Sequence, residues 1–485
     1  MELELRLDPD DAPRLRRLKL LAPLRSGKSR SRSVKIVWHD SAERALAEQG
    51  LALAERRAEW RLELLRPNSH PWPPGARAPV LARARTAVEL GHALPASLFP
   101  MAALEGRESA VSLVTQQGPI SMTLLTGEVR SVVGQQPVNR LWLEGGTAPV
   151  QALALALTGD LCVAVPPVSL AAEAFAVATG VTGPPRREGA PELPDGLSIA
   201  EAFAHVVGHL GDIIIQLAPD AAANLLGPEP VHQMRVAVRR LRSAIKVFRR
   251  ALAASEIAEA DRGLKALAEK LAPTRDWDVF ATETVAPVRK AFSPEQHLDR
   301  LLSAAERRRR ACHQDLQQYL TTPIFRRLGI ELACLASAPV GTLPIENEET
   351  EEPAMPLRDF AAQMLGKRHG RLAKIEDRLS ALEPAELHKI RLQAKRLRYA
   401  AEIFAPMYPG KAAHRFLRRL SRLQDCLGTL NDSAVAQHLL GELPGGSHAF
   451  ATGLVLGFVG ARSQKTRGRI DRAWERFHRV EPFWE

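Results

Sequence analysis

The sequence predicts a multidomain α+β protein. It places an N-terminal antiparallel β tunnel or barrel in residues 1–180, a linker in 181–197 and an all-α bundle in 198–485. Three observations support this division. The N-terminal part alternates apolar and polar residues, as half-buried strands do, whereas nearly everything after 198 repeats with a period near 3.6. The helical part also contains an internal repeat. A chain of 485 residues is in any case too long for a single core.

Composition narrows the classes of protein and partner. Hydrophobic residues make up 45% and charged residues 25%, which is typical of a folded soluble protein. The net charge of +11 and a pI near 9.8 favour an acidic partner, namely nucleic acid, an anionic membrane surface or a polyphosphate. The four cysteines lack CxxC spacing, the opening residues do not look like a signal peptide, and no apolar run reaches about 18 residues. We therefore expect a cytoplasmic protein without a membrane span.

The N-terminal part shows short runs with two unlike faces, separated by Pro and Gly as in residues 71–75. Such runs predict the strands of a mostly closed antiparallel sheet with a polar lumen. The predicted strands are Glu2–Leu7, Val34–Trp38, Trp60–Leu64, Ile120–Leu124 and Val138–Leu143.

Glu2-Leu-Glu4-Leu-Arg6 resembles the opening ExExK of the CYTH domain, the triphosphate tunnel fold. Residues 38–41 (Trp-His-Asp-Ser) and 46–53 resemble the segments that follow in that family. The resemblance implies lumen glutamates that hold divalent metal and lumen cations that hold a triphosphate. This sequence departs from the pattern. Arg6 replaces the Lys, Ala54 stands where an Arg is expected and leaves Arg56, and the late strand reads Val-Asn-Arg-Leu-Trp-Leu-Glu over 138–144.

A two-metal hydrolytic site needs several convergent carboxylates, and only Glu2 and Glu4 can be placed with the motif. We therefore expect a degenerate, non-catalytic tunnel and no bound metal. The alternative is a tunnel-type triphosphate or polyphosphate hydrolase, with residual metal-dependent activity, that uses the helical region as a substrate-binding accessory.

Two stretches look like connectors. Residues 181–197 are rich in Pro and Gly and lack periodicity, which predicts an interdomain linker. Residues 337–356 contain the acidic run 346–352 and divide the helical part into repeat 1 (198–336) and repeat 2 (357–485). A solvated connector is the favoured interpretation of that loop, and a self-competing acidic lid is the alternative.

Each repeat is predicted to contain about four helices. In the first repeat they start near Ile199, His232, Ala258 and Gln296, and in the second near Leu357, Glu386, Lys411 and Phe450. Two such units stacked about a pseudo-two-fold axis would form one bundle.

The predicted helix that contains His232 carries a continuous row of cations. At roughly 100° per residue, its members fall within an arc of about 100°. They are His232, Arg235, Arg239, Arg242 and Lys246, with Arg249 following. Met234, Leu241, Ile245 and Phe248 form a separate apolar stripe, which predicts that one face packs in a core.

The same pattern returns 156 positions later without a gap. The matching cations are His388, Arg391, Lys395 and Arg398, and the offset also relates Phe248 to Phe404, Leu271 to Leu427 and Asp276 to Asp432. Solvent-facing charge has no reason to keep its phase in two copies. Further rows comprise Arg462, Lys465, Arg469, Arg472 and Arg476, and His414, Arg418 and Arg422. Rows that share one phase favour a shared cationic cavity.

The doubled motifs His232-x-x-Arg235-x-x-x-Arg239-Arg240-Leu-Arg242 and His388-x-x-Arg391-x-x-x-Lys395-Arg396-Leu-Arg398 resemble the CHAD domain, the conserved histidine α-helical domain. Residues 275–278 and 427–432 support the match, and a CYTH-like domain followed by a CHAD-like one is an order that the two families share. The resemblance implies binding of inorganic polyphosphate in a basic central channel. Arginine suits this ligand, since its guanidinium stays charged and contacts phosphate oxygens in a bidentate manner.

The expected polyphosphate-binding residues are the cations of the rows, listed here together: His232, Arg235, Arg239, Arg242, Lys246, His388, Arg391, Lys395, Arg398, Arg418, Arg422, Arg462, Lys465, Arg469 and Arg472. The two histidines either contact phosphate or fix helix packing. Neither helix has a second His or a Glu at i+4, so metal ligation is not expected. Asp276, Asp278 and Asp432 are expected to pair with arginines or to cap helices, with a bridging cation as the alternative.

A non-specific nucleic-acid binder is a further alternative. The net charge permits it, but the basic helices carry almost no aromatic side chain for base stacking apart from Tyr399. The preferred expectation is a cytoplasmic polyphosphate-binding protein without a cofactor or membrane contact. The sequence leaves association with polyphosphate or polyester granules open.

Overall fold

The computed structural model describes residues 1–57, 59–65, 72–90, 94–180, 191–224, 227–249, 255–292, 296–337, 355–375, 378–443 and 449–485. The larger part of the predicted linker and the acidic run 346–352 lie outside these ranges. The described part contains an antiparallel sheet followed by a helical region, so the predicted α+β class is confirmed.

Over the described residues, the N-terminal sheet has nine strands in the order β5-β4-β3-β2-β6-β7-β8-β1-β9, and every neighbouring pair is antiparallel. All five predicted strands are present. The strands are β1 (Glu2–Leu7), β2 (Arg25–Asp40), β3 (Leu51–Arg56), β4 (Glu59–Leu64), β5 (Val80–Ala84), β6 (Phe99–Thr115), β7 (Gly118–Arg130), β8 (Gln135–Gly145) and β9 (Val163–Ala164).

The sheet curls around a central cavity. Side chains from β1 through β8 line a single cavity of about 280 Å³, including Glu4 on β1, Arg32 on β2 and Trp142 on β8. Strands at distant positions of the sheet can reach one cavity only if the sheet is strongly curved. The N-terminal domain therefore fits a tunnel-like fold.

In the described ranges, four helices accompany the sheet, and ten make up the helical region together with a π-helical segment at Phe280–Val285. They are α1 (Ala12–Arg17), α2 (Ala45–Glu48), α3 (Thr147–Asp160), α4 (Leu170–Thr179), α5 (Ile199–Ala223), α6 (Glu229–Phe248), α7 (Ser255–Val279), α8 (Ala286–Ala291), α9 (Gln296–Leu320), α10 (Pro323–Ala336), α11 (Leu357–Ala373), α12 (Pro384–Phe404), α13 (Lys411–Glu442) and α14 (Ala449–His478). Among the described residues after Ile199, no strand is present.

The two repeats correspond helix by helix. Helices α5, α6, α7 and α9 of the first match α11, α12, α13 and α14 of the second, and all eight begin within three residues of the predicted starts. At the centre, Phe248 of α6 contacts Phe404 of α12, with ring centroids 5.8 Å apart. These two residues are equivalent under the 156-residue offset. Their mutual contact therefore marks the pseudo-two-fold axis.

The repeat prediction missed α10. This helix follows α9 and packs on α3 of the sheet domain and on α5. Its Ile330, Ala333 and Cys334 belong to the same apolar cluster as Leu3 and Leu5 of β1. A Cβ on Gly75 would lie 2.8 Å from Leu3 Cδ1 and 3.3 Å from the Ala333 side chain, and its φ of +74° also favours glycine. The two domains therefore share a continuous apolar core.

Helix α5 is long and apolar enough to cross a membrane by length and composition alone. However, 78% of its most apolar window is buried inside the fold. That burial is characteristic of a core helix, which passes the same compositional test.

Candidate anion-binding layer

The helices that carry the doubled motif pack against each other in the middle of the helical region. Helix α6 seats its predicted apolar stripe in the core, where Met234, Leu241, Ile245 and Phe248 are at most 3% exposed. Such burial fixes the rotation of α6 about its axis. The cationic rows of α6 and α12 are thereby directed toward a common layer of charged side chains between the two helices, called the polar layer below.

The polar layer separates two apolar clusters. Along α7 the first cluster ends at Leu271 and the second begins at Trp277. Along α13 the first cluster ends at Leu427 and the second begins at Ala436. Asp276 and Asp432 lie at these junctions. Because the two aspartates are equivalent under the repeat, the layer follows the pseudo-two-fold symmetry.

The aspartates face the first arginine of each row. Arg235 Nη1 lies 3.4 Å from Asp276 Oδ1. Burial raises the pKa of Asp432, while the charges of Arg391 and then Arg462 lower it, so this carboxylate lies between α12 and α14. The predicted pairing of Asp276 with a row arginine is confirmed. Asp278 instead accepts hydrogen bonds in a buried contact with Arg309 at 2.7 Å and His313 at 2.9 Å.

Lys395 shows how closely the two rows approach. Burial and, after it, the charges of Arg239, Arg391, Arg235 and Arg398 lower the pKa of Lys395 to about 7. Arg239 Cζ lies 5.6 Å from the ring centroid of Tyr399. Within the described part of the chain, neither Arg239 nor Lys395 has a carboxylate within ion-pair distance. The structure therefore concentrates positive charge where the repeats meet.

Other members of the rows are already paired. Arg242 Nε lies 3.0 Å from Asp261 of α7. Arg398 Nε donates to Glu402 at 2.7 Å, and its Nη1 donates to Gln424 at 3.1 Å. These two arginines hold neighbouring helices together. Arg391 differs, because its buried Nε has no hydrogen-bond partner among the described residues.

The two motif histidines have different surroundings. Burial, followed by the charge of Arg275, lowers the pKa of the half-buried His232, so this ring is neutral at pH 7. His388 is exposed at the start of α12. Arg275 of α7 thus joins the layer, whereas in the sequence it stands out only as part of the supporting motif at 275–278.

The rows on α13 and α14 form an exposed cationic surface. Burial and the charges of Arg422, Arg418 and Arg476 lower the pKa of Arg419, and Arg469 lies near Cys426. Arg462 reaches the polar layer through Asp432, while Lys465 and Arg472 are exposed on α14. Lys246 lies two turns beyond Arg239 and lines a different cavity with α11 and α12.

In the N-terminal tunnel, arginines face the carboxylates. Glu2 pairs with Arg77 at 2.9 Å and Glu4 with Arg140 at 2.9 Å. Glu108 accepts from Arg32 at 2.7 Å and also pairs with Arg56. No three His, Cys, Asp or Glu side chains in the described ranges are placed to hold a metal ion. Carboxylates neutralised in this way do not fit the divalent metal that the tunnel resemblance implies.

A family model, the CHAD domain, matches residues 209–441. The search of curated proteins found no match. The crystal structure of the CHAD domain from the plant Ricinus communis is 26% identical, with a TM-score of 0.52, and the match covers 61% of this chain and 98% of that one. A CHAD domain is therefore identified at residues 209–441, within the helical region.

Two other solved structures show weaker similarity. PptA from Streptomyces chartreusis is 17% identical with a TM-score of 0.44, over 57% of this chain and 99% of that one. A putative adenylyl cyclase from Hippeastrum, described as having a dominant triphosphatase activity, is 16% identical with a TM-score of 0.22. That match covers 33% of this chain and 86% of the other.

Proposed function

We propose that the helical domain binds inorganic polyphosphate along the polar layer between α6 and α12. The observation that carries the proposal is the gathering of Lys395, Arg239, Arg391 and Arg235 in one half-buried layer, where burial and then these charges lower the pKa of Lys395 to about 7. Bringing like charges together in a half-buried layer costs free energy. A polyanion that enters the layer removes this cost, so the free protein is preorganised for it.

A polyphosphate chain suits the layer better than a small anion. Its charge is distributed along its length, and cations from α6, α12 and the middle of α14 meet at the layer from different sides. The unpartnered Nε of Arg391 adds a buried donor that a phosphate oxygen can satisfy. The association of the CHAD family with polyphosphate supports the same ligand.

The test is titration of the full chain with long-chain polyphosphate at near-physiological salt, with double-stranded DNA as competitor. The full chain is required because α10 completes the apolar core of the sheet domain. We expect tight binding that excess DNA does not displace and that weakens steeply with salt, as counterion release requires. Equal competition by DNA would instead indicate a cationic surface that binds anions without selectivity.

Charge reversal locates the site. The double variant Arg239→Glu and Lys395→Glu should abolish binding without loss of helical content in circular dichroism. The matched control, Lys19→Glu with Lys28→Glu, changes the net charge equally at exposed positions of the sheet domain. Retained affinity in a folded Arg239/Lys395 variant would refute binding at this layer.

A further inference from the structure

The pseudo-two-fold symmetry is broken at one pair of charges. On one side of the axis, Arg240 Nε of α6 lies 3.0 Å from Glu402 of α12. The 156-residue offset relates Arg240 to Arg396 and Glu402 to Lys246. On the other side of the axis, the equivalent positions are occupied by Arg396 and Lys246. Two cations therefore meet there, where the first side has an ion pair.

Lys246 and Arg396 line an open cavity of about 370 Å³ between α6, α11 and α12. Helix α11 contributes Lys367, Arg368 and Arg371, and none of the described lining residues is acidic. The volume lies within the range of small-ligand sites. Lys246, Lys367, Arg371 and Arg396 around one cavity, with no carboxylate among its described lining residues, indicate an anion-binding pocket.

The cations of α11 are specific to the second repeat. Its counterpart α5 contains no Lys or Arg over Ile199–Ala223. In the first repeat α10 covers α5 closely, since a Cβ on Gly211 would lie 3.5 Å from Leu332. The cavity on the α11 side remains open, with Lys246, Lys367, Arg371 and Arg396 exposed. The internal repeat alone therefore does not account for the concentration of positive charge around this cavity.

The cavity is separate from the polar layer. Viewed along the axis of α12, the side chain of Arg396 is rotated by about 100° from that of Lys395, at roughly 100° per residue. The side chain of Gln393 is rotated by about 160° from that of Lys395. On α6, Lys246 lies two helical turns, about 10 Å, beyond Arg239. An anion in the cavity therefore contacts side chains other than those that converge on Lys395.

We propose that this cavity binds a short oligophosphate, with inorganic tripolyphosphate as the probe ligand. Two or more neighbouring phosphate groups match the spread of cations over three helices. The guanidinium groups of Arg371 and Arg396 offer paired N–H donors to phosphate oxygens, and Lys246 and Lys367 add compact positive charges. The proposal does not require that the polar layer bind polyphosphate.

The experiment uses the full chain in the Arg239→Glu, Lys395→Glu background, so that binding at the polar layer does not contribute. Calorimetric titration with tripolyphosphate should show one site in this background. Adding Lys246→Glu should weaken that site at least tenfold, because it replaces a cation by an anion that can pair with Arg396 as Glu402 pairs with Arg240. This substitution copies an arrangement already present across the axis, so the fold should tolerate it.

Two further variants make the test specific. Arg371→Gln removes one exposed cation of the cavity and should weaken tripolyphosphate binding several-fold. Lys389→Glu changes the same charge as Lys246→Glu at an exposed position of α12 outside the cavity and should leave affinity nearly unchanged. The proposal is overturned if the background variant binds no tripolyphosphate, or if Lys246→Glu and Lys389→Glu have equal effects. Loss of long-chain polyphosphate binding in the background variant tests the polar layer separately.

Discussion

The guanidinium of Arg239 lies over the ring of Tyr399, with Cζ 5.6 Å from the ring centroid. This contact joins α6 of the first repeat to α12 of the second, one turn beyond Lys395. A cation above an aromatic face gains about 0.5–2 kcal/mol, with larger values where water is excluded. The ring therefore holds Arg239 in the polar layer without neutralising its charge, as a carboxylate would.

Tyr399→Leu should lower the affinity for long-chain polyphosphate by about three- to tenfold, because Arg239 loses the ring that positions it. Titration of the full chain measures the change. Tyr399→Phe retains the aromatic face and should bind nearly as the unmodified protein does. Equal losses in the Leu and Phe variants would show that the hydroxyl, and not the cation–π contact, matters.

Polyphosphate affinity should fall as the pH rises above 7. Burial and the charges of Arg239 and Arg391 lower the pKa of Lys395 to about 7, and a bound polyanion raises it again. Below pH 7 the lysine is already protonated in the free protein. Above pH 7 binding must take up a proton, so affinity decreases by up to about tenfold per pH unit. Titrations at several pH values, in buffers of different ionisation enthalpy, measure both quantities.

Lys395→Arg is the control, because arginine stays charged throughout this range. Its affinity should be nearly independent of pH between 7 and 9, and a slope equal to that of the unmodified protein would exclude Lys395 as the source of the pH dependence.

The stability of the fold gives an independent readout of the pKa of Lys395. Between about 7 and the ordinary lysine value of 10.5, the unfolded chain binds more protons at this residue, so stability rises with pH. Lys395→Gln should therefore raise the thermal midpoint below pH 7, with a difference that narrows toward pH 10.5.

The cationic rows were predictable because burial of Met234 and Phe248 fixes which face of α6 is polar, and the repeat then fixes α12. Helix α10 was not predicted from the repeat, because its sequence has no counterpart in the second repeat. The cavity at Lys246 also escaped prediction, although the absence of Lys and Arg from α5 and their presence in α11 was a usable signal. Helical phase places Lys246 in the row of Arg239, but the neighbour that it meets depends on how α11 packs.

The tunnel should depend on an internal ion pair and not on a metal. Arg140 is 1% exposed and lies 2.9 Å from Glu4, which is 4% exposed. It also pairs with Glu173. Burial raises the pKa of Glu4, although Arg140 lowers it. Arg140→Met should destabilise the sheet domain by about 3–5 kcal/mol, because it leaves buried carboxylates without their partner.

Denaturant unfolding monitored by tryptophan fluorescence measures this effect. Adding Glu4→Gln to Arg140→Met removes one of the uncompensated charges and should recover part of the loss. EDTA or Mn²⁺ should not change the unfolding midpoint of the unmodified protein. A large stabilisation by Mn²⁺ would contradict the assignment of the tunnel carboxylates to arginine partners and would revive the hydrolase alternative.

Cys334 provides a probe of the contact between the two domains. This residue of α10 is 3% exposed within the apolar cluster of the sheet domain, and burial raises the pKa of its thiol to about 12. A buried, protonated thiol reacts slowly. In the folded protein an alkylating reagent should therefore modify the exposed Cys162 well before Cys334.

Ile330→Ser, which places a polar group in the same cluster, should accelerate modification of Cys334 but not of Cys162. Peptide mass spectrometry over a time course measures both rates, and equal rates in the unmodified protein would show that α10 is not docked on the sheet domain.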